Sequence, residues 1–269
     1  QISLFSGHTD EIWSLSVSQD EKQALTGSKD GTVRIWELGD SRIPSKKIDM
    51  GEPVSSVAFL PNNRYGVFAA SKICIWDLEE GKNVFSFPGH LGALFSLDYS
   101  PVSQLGISTS SDDTLRVWNF RSGEEAGVLA FHPKGFRIAT ISPNGYKALA
   151  AIGSTVFRIV GTETGRPQLW SPPGPKLGYW DLQTGELVHI FEGDMGEFSS
   201  IAFSSDGHKA ITGSVDGNLY LWDLGEEELI KVFTGHKDEV TCVAYSSDKS
   251  LVLSGDIHHM ARLWNADTG

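Results

Sequence analysis

The chain is poor in cysteine, in basic residues and in long apolar runs, and each shortage removes a class of protein. Cys74 and Cys242 are the 2 cysteines in 269 residues, too few for a disulfide framework. No apolar run approaches the roughly 18 residues that a membrane-spanning helix needs, so membrane insertion is not expected. Lys plus Arg number 22 against 34 Asp plus Glu, and a net charge of -12 leaves no broad phosphate-neutralising surface. Nucleic acid is therefore not an expected partner. No signal-peptide pattern follows Gln1, which fits an intracellular, cytoplasmic protein, and the non-Met start reads as one piece of a longer chain with additional domains.

Tryptophan, in contrast, is plentiful and periodic. Trp36, Trp76, Trp118, Trp180, Trp222 and Trp264 each close a short alternation of β-branched and apolar residues, such as Val33-Arg34-Ile35-Trp36 and Leu219-Tyr220-Leu221-Trp222. Period-two patterning of this kind predicts strands. The successive spacings are 40, 42, 62, 42 and 42. His8, His90 and His236 each stand 28 residues before a Trp of the series, and Asp194 stands at the same interval before Trp222. The same ruler applied to His132 ends at Val160, inside the strand-like Thr155–Val160. A seventh unit is thus expected within the 62-residue interval. That reading leaves a fifth unit short by about two strands, some 23 residues, near Gly174 to Lys176. It reads as a lost segment rather than a natural deletion, because removing two inner strands would leave a hole in the core.

Gly7-His8, Gly89-His90 and Gly235-His236, together with Trp76-Asp77, Trp180-Asp181 and Trp222-Asp223 at a period near 42, resemble WD repeats. The resemblance covers residues 1–269 as a single domain. It implies an all-β, seven-bladed β-propeller of four-stranded antiparallel blades. It further implies that Ile2–Phe5 supplies the outer strand of the last blade and closes the ring, removing open sheet edges.

In such proteins His, Ser or Thr, Asp and Trp form a hydrogen-bonded relay within a blade. The matching positions are His8, Thr26, Asp30 and Trp36; His90, Ser108, Asp112 and Trp118; Thr212, Asp216 and Trp222, with Asp194 in the His place; and His236, Ser254 and Trp264, with His258 where Asp belongs. Ser, His and Asp together also suggest a hydrolase. The trio recurs at fixed spacing and no Gly-x-Ser-x-Gly elbow is present, so a structural role is the better reading and no enzyme is expected. His258, His259 and Asp256 superficially resemble a metal site. Adjacent strand residues point to opposite faces, so neither metal nor cofactor is expected.

The resemblance also places loops between outer and inner strands on one rim around the channel, a surface that commonly holds peptides. The residue five beyond the His position gives Trp13, Phe95, Arg137, Ser199 and Thr241, with Ser55 as the approximate equivalent in the shorter second unit. Two residues earlier come Glu11, Ala93, Gly135, Glu197 and Glu239. Lys29, Ser111, Val215 and Ile257 precede the relay Asp position. The framework does not require this chemistry. Two large aromatics beside several carboxylates suggest a non-catalytic scaffold for a protein or peptide carrying a Lys or Arg flanked by apolar residues. The alternative is the sensing or autoinhibitory propeller of a larger signalling ATPase. The acidic runs Glu79-Glu80, Glu124-Glu125 and Glu226–Glu228 read as solvated turns on the circumference.

Overall fold

Six segments built on the Trp period fold as expected for alternating apolar sequence: each becomes the third strand of a small antiparallel sheet. The computed structural model describes residues 5–39, 44–132, 135–152, 176–193 and 195–269. The first blade contains β1 to β4 (Ile12–Val17, Gln23–Ser28, Thr32–Glu37 and Lys46–Asp49). The second contains β5 to β8 (Ser56–Phe59, Tyr65–Ala69, Ile73–Asp77 and Lys82–Phe87) and the third β9 to β12 (Leu94–Ser100, Leu105–Ser110, Thr114–Asn119 and Glu124–Phe131). The fourth contains β13 to β16 (Phe136–Ile141, Lys147–Ile152, Lys176–Asp181 and Leu187–Glu192). The fifth contains β17 to β20 (Phe198–Phe203, Lys209–Ser214, Asn218–Asp223 and Glu228–Thr234). The last contains β21 to β23 (Val240–Tyr245, Leu251–Asp256 and Ala261–Asn265).

The expectation of seven blades is therefore corrected to six: among the described residues five blades have four strands and the last has three. The register shows why. Trp180 pairs with Ala148 just as Trp36 pairs with Ala24, Trp118 with Gly106 and Trp222 with Ala210. The strand around Trp180 is the third strand of the fourth blade, not the remnant of a separate fifth one. Trp180 thus belongs to the fourth unit, for which the interval from His132 had pointed to Val160. Thr155–Val160 and Gly174, on which the seventh unit rested, lie outside the described residues. So do Asp194 and residues 1–4 of the expected closing strand. Phe5 is described and packs edge-on against Trp36 of the first blade, with ring centroids 5.6 Å apart.

Burial follows the repeat. The second strand of each inner blade is covered on both faces by neighbours, so it reads as an almost continuous run of buried residues rather than an alternation. Five apolar clusters fill the junctions between successive blades. Leu25 and Ile35 meet Val57 and Phe68; Val67 and Phe87 meet Leu97 and Trp118; Ile107 and Val117 meet Phe136 and Trp180. Leu149 and Tyr179 meet Ile201 and Trp222, and Ile211 and Leu221 meet Val240 and Val252. Inner-strand polar groups tie the junctions. The hydroxyls of Ser14 and Ser200 accept the N–H of Val57 and Val243 at 3.0 Å. Asp98 accepts from Thr140 and from the N–H of Ile141, while burial pushes its carboxyl up from the ordinary value.

Tight turns between inner strands use glycine where φ is positive. Gly31 has a φ of 79° and Gly217 one of 82°, and a Cβ on Gly217 would lie 2.9 Å from the carbonyl oxygen of His236 in the next blade.

Candidate functional site

The structure brings together three of the polar quartets. In the third blade the indole N–H of Trp118 donates to Ser108 Oγ at 2.7 Å, and the Ser108 hydroxyl lies 2.7 Å from His90 Nε2. His90 Nδ1 lies 2.9 Å from Asp112. The consistent proton arrangement runs Trp to Ser to His to Asp, with a neutral imidazole that donates from Nδ1. The first blade repeats this with Trp36 to Thr26 at 2.8 Å, Thr26 to His8 at 2.7 Å and His8 to Asp30 at 2.8 Å.

Burial would raise the Asp112 carboxyl, but donation from the Thr114 hydroxyl, the Leu91 N–H and His90 holds it at about 2. Asp30 is held down in the same way by Thr32, Thr9 and His8. Burial depresses the His90 imidazole more strongly than Asp112 raises it.

The last blade corrects one assignment. His236 Nδ1 pairs with Asp256 at 2.7 Å, and its Nε2 lies 2.7 Å from Ser254, which also receives the Trp264 N–H at 2.8 Å. His258 is exposed and reaches Asp238 at 3.2 Å instead. Asp256 stands two residues before the usual carboxylate position, so counting along the repeat passed over it. In the fifth blade Asp216 accepts from the Tyr220 hydroxyl at 2.6 Å and from the Gly196 N–H at 2.9 Å, and Trp222 donates to Thr212 at 3.0 Å. Tyr220 is a partner that sequence reading missed; its signal was a polar-tipped aromatic two residues before the Trp.

The rim positions share a backbone device. Trp13, Phe95, Arg137, Ser199 and Thr241 all sit where the register slips at the start of an inner strand. Such a bulge leaves a residue unpaired and re-aims its side chain. At Trp13 and Phe95 the outcome is aromatics 48% and 49% exposed. The hydroxyls of Ser55, Ser199 and Thr241 are instead spent within the blade, donating to the carbonyls of Ala69, Gly213 and Gly255 at 3.2 Å. Ser199 also reaches the Val240 carbonyl.

A second recurrent bond aligns the other rim series. The N–H of Lys29 donates to the Glu11 carbonyl, Ser111 to Ala93, Val215 to Glu197 and Ile257 to Glu239. In the first, third and fifth blades this sets the residue before the relay carboxylate beside the entrance to the inner strand; in the last blade Ile257 follows the relay carboxylate Asp256. On this rim Trp13 donates its indole N–H to Glu11 at 3.1 Å, and Lys29 lies 3.7 Å from both Asp10 and Glu11. Arg137 approaches Glu197 across the fourth and fifth blades at 3.8 Å. Leu91, beside His90, is almost wholly exposed and was not anticipated, because nothing repeats it in other blades.

A cleft of about 480 Å³ lies at the opposite ends of the strands, between the first two blades. Two of its three cations are already engaged: Lys46 donates to the carbonyls of Leu78 and Glu79, and Arg64 to Asp77. Of the acidic runs, Glu79-Glu80 and Glu226-Glu227 lie in turns from third to outer strand, whereas Glu124-Glu125 and Glu228 begin the outer strands themselves, a correction to their reading as turns; Glu125 and Glu227 pair with Arg116 and His189. Among the described residues no group of His, Cys, Asp and Glu is arranged to hold a metal ion, and no helix is long and apolar enough to cross a membrane.

Comparison with known proteins supplies the family. The WD domain, G-beta repeat, matches residues 1–37, 81–119, 185–223 and 227–265, more than half of the chain. The chain is 27% identical over 260 residues to the ribosome biogenesis protein ERB1 of Chaetomium globosum, covering 81% of this chain and 32% of that protein. It is 26% identical over 243 residues to the serine-threonine kinase receptor-associated protein of Dictyostelium discoideum, covering 82% of each. With WD repeat-containing protein 82 of Drosophila melanogaster it shares 26% identity over 256 residues, covering 81% of this chain and 79% of the relative. The chain therefore spans only about a third of ERB1 but most of the other two. Six tryptophans in one blade register, the buried polar quartets and the matched repeats together make this chain a member of the WD-repeat family.

Proposed function

We propose that the chain is a non-catalytic interaction scaffold whose rim holds a peptide or protein segment bearing a Lys or Arg flanked by apolar residues. The observation that carries this reading is the pair of half-exposed aromatics, Trp13 and Phe95, lifted out of their sheets by bulges, with Trp13 bonded to the Glu11 carboxylate. Glu11, Glu197 and Glu239 supply the charge that a cation would meet, and Leu91 extends the apolar area. Lys29 and Arg137 lie near rim carboxylates, so an incoming cation competes with them for those partners.

The polar quartets do not support hydrolysis. Ser108 and Ser254 are buried, and each hydroxyl already serves a Trp and a His. A nucleophile must reach its substrate, and three copies of the same buried chain suit structure better than a single reaction centre. The relatives' names, one in ribosome biogenesis and one associated with a kinase receptor, support an assembly role.

Selection from a random peptide library tests the reading. Enriched peptides are expected to place Lys or Arg between apolar residues and to lose affinity at least ten-fold for Trp13→Ala or Phe95→Ala. Acidic winners, or peptides that bind both variants as tightly as the wild type, would refute it.

A further inference from the structure

Two rim loops of this chain are built alike. Asp10-Glu11 and Asp238-Glu239 stand two and three residues after the relay histidines His8 and His236, and in each pair the glutamate N–H donates to the aspartate carboxylate at 2.8 Å. In each blade the turn after the second strand donates a backbone N–H to the glutamate carbonyl, from Lys29 at 2.9 Å in the first and from Ile257 at 3.1 Å in the last. The two loops thus share a backbone arrangement and an acidic pair. They differ in the side chain that the turn sets beside that pair.

In the first blade it is an ammonium: Lys29 Nζ lies 3.7 Å from both Asp10 Oδ1 and Glu11 Oε2. In the last blade the same place holds Ile257, an apolar side chain 43% exposed. Exposure there belongs to the rim turn itself, since Lys29 and Ser111 are exposed at the equivalent place. Of the three rim glutamates, Glu11 has Lys29 and Glu197 has Arg137 at 3.8 Å, whereas among the described residues no cation stands against Glu239. His258 reaches Asp238 alone, at 3.2 Å. Thr241, which holds the place of Trp13, spends its hydroxyl on the Gly255 carbonyl.

We infer that Asp238 and Glu239 form the subsite for the ligand's cation, and that this cation is a lysine ammonium whose alkyl stem lies along Ile257. The inference rests on the reading of the rim given above and says where on it the basic residue goes. The first blade is the template: there a lysine of the chain itself holds its ammonium between the two carboxylates, in the place that a ligand would need. In the last blade that place is left to a ligand. A lysine covers apolar surface with its stem while its charged head stays in water beside the acids, and Ile257 supplies that surface. The compact ammonium, with three rotatable donors, can serve carboxylates of two different residues, whereas the planar guanidinium fork matches one carboxylate. Lysine is therefore preferred to arginine at this subsite.

The test uses the 269-residue chain and the lysine-bearing peptide most enriched in the library selection, with circular dichroism to check the fold of each variant. Ile257→Lys gives the last blade the occupant that the first already has, and is expected to weaken the peptide at least ten-fold. Glu239→Gln is expected to weaken it at least five-fold. Adding Ile257→Lys to Glu239→Gln is expected to cost little more, because both act on one subsite, whereas a charge acting through the general field of the rim would cost the same in both backgrounds. Lys29→Ile frees the matching pair of the first blade and is expected to tighten binding at least two-fold. A peptide that weakens for Trp13→Ala and Phe95→Ala yet is indifferent to Ile257→Lys and Glu239→Gln would overturn the subsite and leave the rim reading standing. Additive losses in the double variant, or a selection that enriches arginine peptides alone, would do the same. A selection that enriches no basic peptide would refute the rim reading and the subsite with it.

Discussion

Replacing Ser108 by Ala removes one oxygen from the centre of the third blade. Ser108 is fully buried, receives the Trp118 N–H and bonds to His90 Nε2, both at 2.7 Å. The substitution strands an indole N–H and an imidazole nitrogen where water does not enter. Each buried unsatisfied group costs about 1–3 kcal/mol, and part of that is recovered if His90 shifts, so a loss of about 2–4 kcal/mol is expected. For a chain somewhat larger than 250 residues this lowers Tm by roughly 2–4 °C per kcal/mol. Ser108→Thr keeps the hydroxyl, as Thr26 does in the first blade, and is expected to retain most of the stability. Urea denaturation followed by tryptophan fluorescence and by circular dichroism reads both variants, and agreement of the two probes checks that unfolding is cooperative. A Ser108→Ala loss below about 0.5 kcal/mol, or a Thr variant as unstable as the Ala variant, would refute the reasoning.

In the last blade Asp256→Ala is expected to cost about 2–3 kcal/mol by unpairing buried His236, whereas His258→Ala, at an exposed site, is expected to change stability by less than about 0.5 kcal/mol; equal effects in thermal denaturation would return the relay role to His258. Burial, opposed by Asp112, holds His90 below the ordinary imidazole value. Its contribution to stability is therefore present above about pH 6.5 and is lost as pH falls. Asp112, held at about 2, contributes above the ordinary carboxylate value and loses that contribution as pH falls through about 2. An NMR titration placing His90 above 6.5 would reverse the first sign. Glu11→Gln combined with Glu197→Gln is expected to weaken a basic peptide several-fold in low salt and less in high salt, because exposed charges are screened; titration calorimetry showing salt-independent loss would contradict an electrostatic role.

The blade was legible because its determinants are local and repeated. Alternation sets the strands, and Trp at a fixed register marks the third of each. The blade number was not legible. Spacing alone could not decide whether Trp180 closed the fourth unit or began to repair a fifth, and only the pairing of Ala148 with Trp180 settles it. Asp256 escaped for a related reason: the carboxylate reaches His236 from the end of its own strand, so geometry preserves what the spacing does not. The rim positions could be counted from the histidines, but the bulges that lift Trp13 and Phe95 out of the sheet arise from strand pairing and leave no motif. Nor could the sequence separate those aromatics from Ser55, Ser199 and Thr241, whose hydroxyls are spent on backbone carbonyls.

The claim that the rim carries function is tested most directly by hydrogen exchange with and without a selected peptide. The account predicts added protection at the inner-strand entrances around Trp13 and Phe95 and in the turns at Lys29 and Ser111. Protection confined to the acidic turns at Glu79-Glu80 and Glu226-Glu227, or to the cleft between the first two blades, would contradict it.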